Sequence, residues 1–209
     1  MIEPWGCTID VGTEGHVTRH VFGPVGDDEN EVDETAVRKV AGAVTGAGVW
    51  LKVFEDPAVV GGWLDACWWI DPEPGHLMTV PLTTTDGPPP PPPPGYRLRT
   101  WSRGGVVRAM IAAPDGSWAA RGQIAPTGTT AVADQIETSP AHRRRGLGSL
   151  VMRTLQRAAA EQGAETGVLA GTEAGRALYE TLGWRVVAPL TSATFVGTKG
   201  SSQSLRTVP

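Results

Sequence analysis

Seven consecutive prolines, Pro88 to Pro94, restrict this chain more than any other stretch of it. Proline has no backbone N–H and a fixed φ, so the run can join neither a helix interior nor a central strand. It is expected to form an extended polyproline helix rising ~3.1 Å per residue, a semi-rigid strut of ~20 Å. The strut divides the chain into an N-terminal α/β accessory region (1–82), a proline-rich linker (83–95), a second domain (96–195) and a flexible tail (196–209). An aromatic groove on a partner could also take such a run. Only Arg97 and Arg99 flank it as specificity residues, so the spacer role is favoured.

After the strut the pattern changes to a strand meander. Tyr96–Trp101, Val106–Ala113, Trp118–Ile124 and Ala131–Thr138 read as β-runs, with Pro114-Asp115-Gly116 as a tight turn. A helical run from Leu147 to Gly163, a strand at Gly167–Ala170, a second helix through Tyr179 and a strand from Trp184 to Val187 follow. Between the fourth strand and the first helix lies Thr138-Ser139-Pro140-Ala141-His142-Arg143-Arg144-Arg145-Gly146-Leu147-Gly148-Ser149. The first N–H groups of a helix lack an internal partner, and the helix dipole adds roughly half a positive charge there. Glycines let a ligand approach the backbone, so this basic turn is read as an anion site fit for a pyrophosphate.

The same residues carry a family likeness. Arg143-x-x-Gly146-x-Gly148 resembles the Arg/Gln-x-x-Gly-x-Gly/Ala signature of the GNAT superfamily of acyl-CoA-dependent N-acetyltransferases. Gly171 to Trp184 resembles that family's Asn-x-x-Ala-x-x-Leu-Tyr-x-x-Leu-Gly-Phe helix, with Thr172 at the Asn position, Gly175 at the Ala position and Trp184 at the Phe position. From the residues alone, Thr172 is a good N-cap and Gly183 a good helix stop. The resemblance covers roughly residues 95 to 190 and implies an α+β GNAT fold with a mixed sheet. In that family the first two strands are separated by two helices that help form the acceptor pocket. Ser102-Arg103-Gly104-Gly105 leaves no room for them, so the N-terminal half is expected to supply that wall.

What the resemblance implies for the site is specific. Acetyl-CoA would be the co-substrate, its pyrophosphate held by Arg143, Arg144, Arg145, Gly146, Leu147, Gly148 and Ser149, with Thr172 at the head of the second helix. Backbone groups at Ile136 and Thr138 would pair with the pantetheine arm and the thioester carbonyl. Tyr179 would protonate the departing thiolate. Phenol, with an ordinary pKa near 10, suits that task. Glu137 is the best candidate for the general base and Asp134 the second. The reaction would be direct attack by an amine in a ternary complex. The alternative left open is a non-catalytic acyl-CoA sensor whose acceptor site is lost.

The N-terminal half is less legible. Glu34–Gly46 has helical spacing, Val49–Phe54 and His76–Leu82 read as strands, and Asp27 to Glu31 is an acidic loop. Four of the eight tryptophans fall between Trp50 and Trp69, as a packed core would require. His16 and His20 could share a helix face as metal ligands, but no third ligand is near and Gly12 and Gly15 weaken a helix, so no metal is expected. Cys7 and Cys67 have no paired spacing. A net charge of −4 disfavours a nucleic-acid partner, and no stretch reaches the ~20 apolar residues of a membrane helix. A cytoplasmic protein is expected; a homodimer is compatible with it, and the acceptor amine is unspecified.

Overall fold

A computed structural model describes residues 1–24, 31–84 and 87–197. Asp27 to Asn30 of the acidic loop, Thr85 and Asp86 of the linker, and the tail from 198 onward lie outside the described residues. The chain forms two compact units, Met1–Gly75 together with Ala188–Pro209, and His76–Val187. This differs from a division at the proline run. Both ends of that run lie in the second unit, and the strand after Trp184 continues into the first.

The first unit contains β1 (Ile2–Glu3), β2 (Gly6–Thr13) and β3 (His16–Phe22), then α1 (Glu34–Ala43), β4 (Val49–Val53), α2 (Pro57–Trp63) and β5 (Trp68–Ile70). Its last strand is the C-terminal part of β12 (Arg185–Phe195), antiparallel to β4 and to β5. Asp33 and Asp56 cap α1 and α2, their carboxylates accepting from Ala36 and Ala58 N–H. Phe22, Val37, Leu51, Val53, Val60 and Ala193 form its core. The two histidines weighed as helical metal ligands sit on strand β3 instead. The hairpin before them turns at Gly15, and β3 then pairs in parallel with β4.

The second unit opens with β6 (Gly75–Pro81). After the strut come β7 (Arg97–Arg103), β8 (Val106–Ala112), β9 (Trp118–Thr127) and β10 (Thr130–Thr138), each antiparallel to the one before. The β7–β8 hairpin turns at Gly104 and Gly105, both at positive φ, with no helix between the strands. Then α3 (Leu147–Glu161) crosses over to β11 (Thr166–Thr172), which runs parallel to β10, and α4 (Glu173–Glu180) follows. On the other side of β11 lies β6, and Val80 and Leu82 at its end meet Gly167. One face of the meander (Val107, Ala109, Ile111, Ala120, Ile124, Ala131, Ala133) is buried against Leu147, Val151, Met152, Leu155 and Ala159 of α3. Alternation along each strand produces that face, and the helical stripe of α3 closes it. The strut starts beside α3, with Pro88, Pro89 and Pro90 lining a cavity of about 350 Å³ together with Arg153, Gln156 and Leu182, while Pro88, Pro90, Pro91 and Pro94 remain exposed.

Within each unit the same order recurs: a hairpin, a crossover helix, a strand parallel to the hairpin's second strand, and another helix. In the first unit this is β2-β3-α1-β4-α2; in the second it is β9-β10-α3-β11-α4.

Candidate functional site

β10 and β11 are paired only at their starts. The register runs Thr130↔Thr166, Ala131↔Gly167 and Val132↔Val168, while β10 continues to Thr138 and β11 to Thr172. Beyond Val132 the strands part, leaving backbone groups of β10 open to a ligand. A bulge on the other side of β10 accompanies this: Asp134 faces Gln123 and Glu137 faces Arg121, so β10 spends one extra residue there. Gln135 takes φ 53° to accommodate it. Opposite the bulge sits Gly122, where a Cβ would lie 2.5 Å from Ile136 Cδ1. The missing side chain is what lets Ile136 fold over β9.

Past Thr138 the chain makes a short 3-10 turn, Pro140–His142, and enters α3 through Gly146, whose φ is 73°. No side chain caps α3, so the first N–H groups of the helix, from Leu147 on, have no side-chain acceptor. Arg144 also stands in the left-handed region, at φ 61°, which costs an ordinary residue about 1–2 kcal/mol. The side chains of Arg143, Arg144 and Arg145 are exposed. His142 is held from the side: its Nδ1 lies 3.0 Å from Tyr96 Oη, with the rings edge to face. Tyr96 follows directly on the strut, so this pair fixes the turn to the strut's end. Gly148 packs tightly, since a Cβ there would be 3.1 Å from Leu178 and 3.3 Å from Thr138 Oγ1. Thr138, Gly148 and Leu178 thus come together where the turn enters α3.

At the head of α4, Thr172 Oγ1 accepts from Gly175 N–H at 3.2 Å. The helix ends where Trp184 N–H reaches back to Tyr179 carbonyl and Gly183 adopts φ 86°. Tyr179 is 8% exposed, its ring lying under Gly171 and Gly175, where added Cβ atoms would be 3.0 and 2.9 Å away. Its hydroxyl has no hydrogen-bond partner among the described residues. Trp184 Nε1 is the only buried side-chain polar atom without one among those residues, so the Tyr179 hydroxyl opens onto accessible space. Burial, and then the negative charge of Asp134, push the Tyr179 phenol above its ordinary value.

Glu137 is engaged. Its Oε2 accepts from Arg121 Nε at 2.9 Å and Nη2 at 2.7 Å, with both side chains about half exposed. A pair that sequence reasoning missed lies on β6: His76 Nε2 is 2.5 Å from Glu173 Oε2, the first residue of α4. No local motif marks His76. Only the pairing of β6 beside β11 brings it to this helix. Among the described residues no three His, Cys, Asp or Glu side chains gather as a metal-ligand set, and no described helix is long and apolar enough to cross a membrane.

Comparison with known proteins bears on the fold and the family. No curated protein matches the sequence. Among solved structures, a GCN5-related N-acetyltransferase from Kribbella flavida is 18% identical and superposes with a TM-score of 0.58 over 87% of this chain and 82% of its own. An acetyltransferase of the GNAT family from Novosphingobium aromaticivorans gives 20% identity and 0.52 over 79% and 81%. A tandem GNAT protein from the clavulanic acid biosynthesis pathway gives 15% and 0.56 over 72% and 65%. At such identities these likenesses establish the fold, an α+β arrangement with a mixed sheet. The model of the acetyltransferase (GNAT) family matches residues 63–184, more than half of the sequence, and the chain belongs to that family.

Proposed function

We propose that the chain transfers an acetyl group from acetyl-CoA to an amine, by direct attack in a ternary complex. The observation that carries this reading is the presence in the second unit of strands that part, a helix start without a side-chain cap and a tyrosine hydroxyl without a hydrogen-bond partner among the described residues. Pyrophosphate would be held by the N–H groups from Arg143 to Ser149, the pantetheine arm by the open edge of β10 at Ile136 and Thr138. A strand N–H directed at the thioester oxygen would stabilise the charge that develops on it. The amine nitrogen forms a bond to the carbonyl carbon and the C–S bond breaks. Tyr179 then gives its proton to the thiolate. A phenol keeps its proton at neutral pH and can deliver it as the C–S bond breaks.

An ammonium acceptor must first lose a proton. Glu137 beside the bulge is one base. Its ion pair with Arg121 is exposed and worth only ~0–1 kcal/mol, so its oxygen is readily released. The pair His76–Glu173 favours a second reading. A carboxylate on Nε2–H leaves Nδ1 bare as the proton acceptor, in the way an orienting acid serves a histidine base. Free coenzyme A released with a panel of amines tests the main reading. Tight acetyl-CoA binding with no amine-dependent release would sink it. Glu137→Gln and His76→Gln then separate the bases, because loss of the true base abolishes the rising limb of the pH–rate profile.

A further inference from the structure

We propose that the first unit carries a binding site for a phosphate-bearing small molecule, built on β3, β4 and β12 around Arg19, Lys52, Trp50 and Ser192. Register puts these side chains together. Arg19 stands opposite Trp50, Trp50 opposite Thr194, and Lys52 opposite Ser192. On β4, Leu51 between them and Val53 after them are fully buried with residues of α1 and α2, so alternation turns Trp50 and Lys52 to the opposite sheet face. There Lys52 Nζ donates to Ser192 Oγ at 2.6 Å and lies 5.4 Å from the centre of the Trp50 ring. Arg19 Nε donates to His16 Nε2 at 3.2 Å, and His16 lies against the same indole at 5.4 Å.

Among the described residues the cluster has no ion-paired counter-charge, Asp71 acting on Lys52 without forming an ion pair. Neither Arg19 nor Lys52 forms an ion pair among the described residues. Partial burial of an unpaired charge still carries a desolvation cost. Donors are left over as well: both Arg19 Nη groups, two of the three Lys52 protons, and the hydroxyl hydrogen of Ser192, which only accepts from Lys52. The strain is felt by each member. Burial first, then Arg19, hold Lys52 below its ordinary value, with Asp71 the one acid acting against that; burial, Arg19 and Lys52 do the same to His16. An oxyanion set between Arg19 and Lys52 would reverse these effects. Two fixed cations and a titratable imidazole call for more than one negative charge. A phosphate monoester, carrying about −1.5 to −2 at neutral pH, supplies it where a single carboxylate does not. All four of His16, Arg19, Trp50 and Lys52 are partly exposed, so the donors can be reached.

Inorganic phosphate and pyrophosphate are the probes, with succinate as the carboxylate control, titrated against the full chain by calorimetry and by NMR of the histidine side chains. The turn before α3 is itself an anion site, so the comparison rests on variants. Arg19→Gln and Lys52→Met are each expected to weaken phosphate binding at least tenfold while leaving coenzyme A binding unchanged, and phosphate should move the His16 pKa upward in the wild-type chain alone. Succinate should bind more weakly than phosphate. Lys52→Met removes an uncompensated charge, so this variant should fold at least as stably as the wild type, and Arg19→Gln gives an independent check. Phosphate binding equal in wild type and both variants, or a His16 signal indifferent to phosphate, would overturn the proposal.

Discussion

Gly122→Ala concentrates the logic of the site into one methyl group. The added Cβ would lie 2.5 Å from Ile136 Cδ1, 2.9 Å from Val151 Cγ1 and 3.1 Å from Leu155 Cδ1. Val151 and Leu155 are fully buried in the body of α3 and cannot retreat, so Ile136, half-buried on the bulge, has to turn away. Overpacking of this kind costs about 1–3 kcal/mol, and the reduced freedom of the unfolded chain returns about 0.4–1 of it. Central values of about 2 and about 0.7 leave a net loss of about 1.3 kcal/mol, which for a chain of this size lowers the melting temperature by roughly 3–5 °C. Gly42→Ala is the control, since α1 leaves open space around that position and alanine gains about 1 kcal/mol of helix propensity. Thermal and urea unfolding of the three proteins read both effects. Because Ile136 borders the parted strands, acetyl-CoA affinity should fall in Gly122→Ala and hold in Gly42→Ala. If Gly122→Ala proves as stable as the wild type while Gly42→Ala behaves as expected, the packing argument for the bulge is wrong.

Three further outcomes are expected. Tyr179→Phe should lower kcat about a hundredfold or more, within the range for a lost general acid, and leave acetyl-CoA binding intact; a fall in binding alone would contradict the acid role. Gly148→Val, pressed against Leu178 and Thr138, should weaken acetyl-CoA binding more than Arg144→Gln does, because the turn holds its ligand through backbone N–H groups; equilibrium titration of both variants decides it. Lys52 titrates below its ordinary 10.5 in the native chain, so between its lowered pKa and 10.5 the unfolded chain holds a proton that the native one lacks, and stability rises with pH in that window. Urea midpoints from neutral to alkaline pH should show that rise in the wild type relative to Lys52→Met; parallel curves would exclude it.

What the sequence disclosed was local. The turn from Thr138 to Ser149 and the Thr172 cap announce themselves because capping and φ preferences act over a few residues, and the meander after the strut follows from alternation. The pairing of β12 with β4 is not local, since Thr191 and Val53 meet across most of the chain. That is why the proline run looked like a boundary between domains when it is a crossover inside one unit. His76 escaped notice for the same reason. Its partner Glu173 is 97 residues away, and only the placement of β6 beside β11 joins them. The β2–β3 hairpin was hidden by polar residues on both faces, which blur the period-two signal around Gly12 and Gly15.

The division of the chain also bears on the order in which it can fold. Residues 76–187 are contiguous, so their unit can close as soon as that stretch has left the ribosome. The first unit, begun earliest, cannot close then. Its β4 must wait for residues 191–194 to arrive after the whole of the other unit has been made. Until that strand arrives, the edges of β4 and β5 that take it stand bare, open to pairing with another chain. The unit of residues 76–187 can therefore be completed first, and the strands made before it are protected only after it.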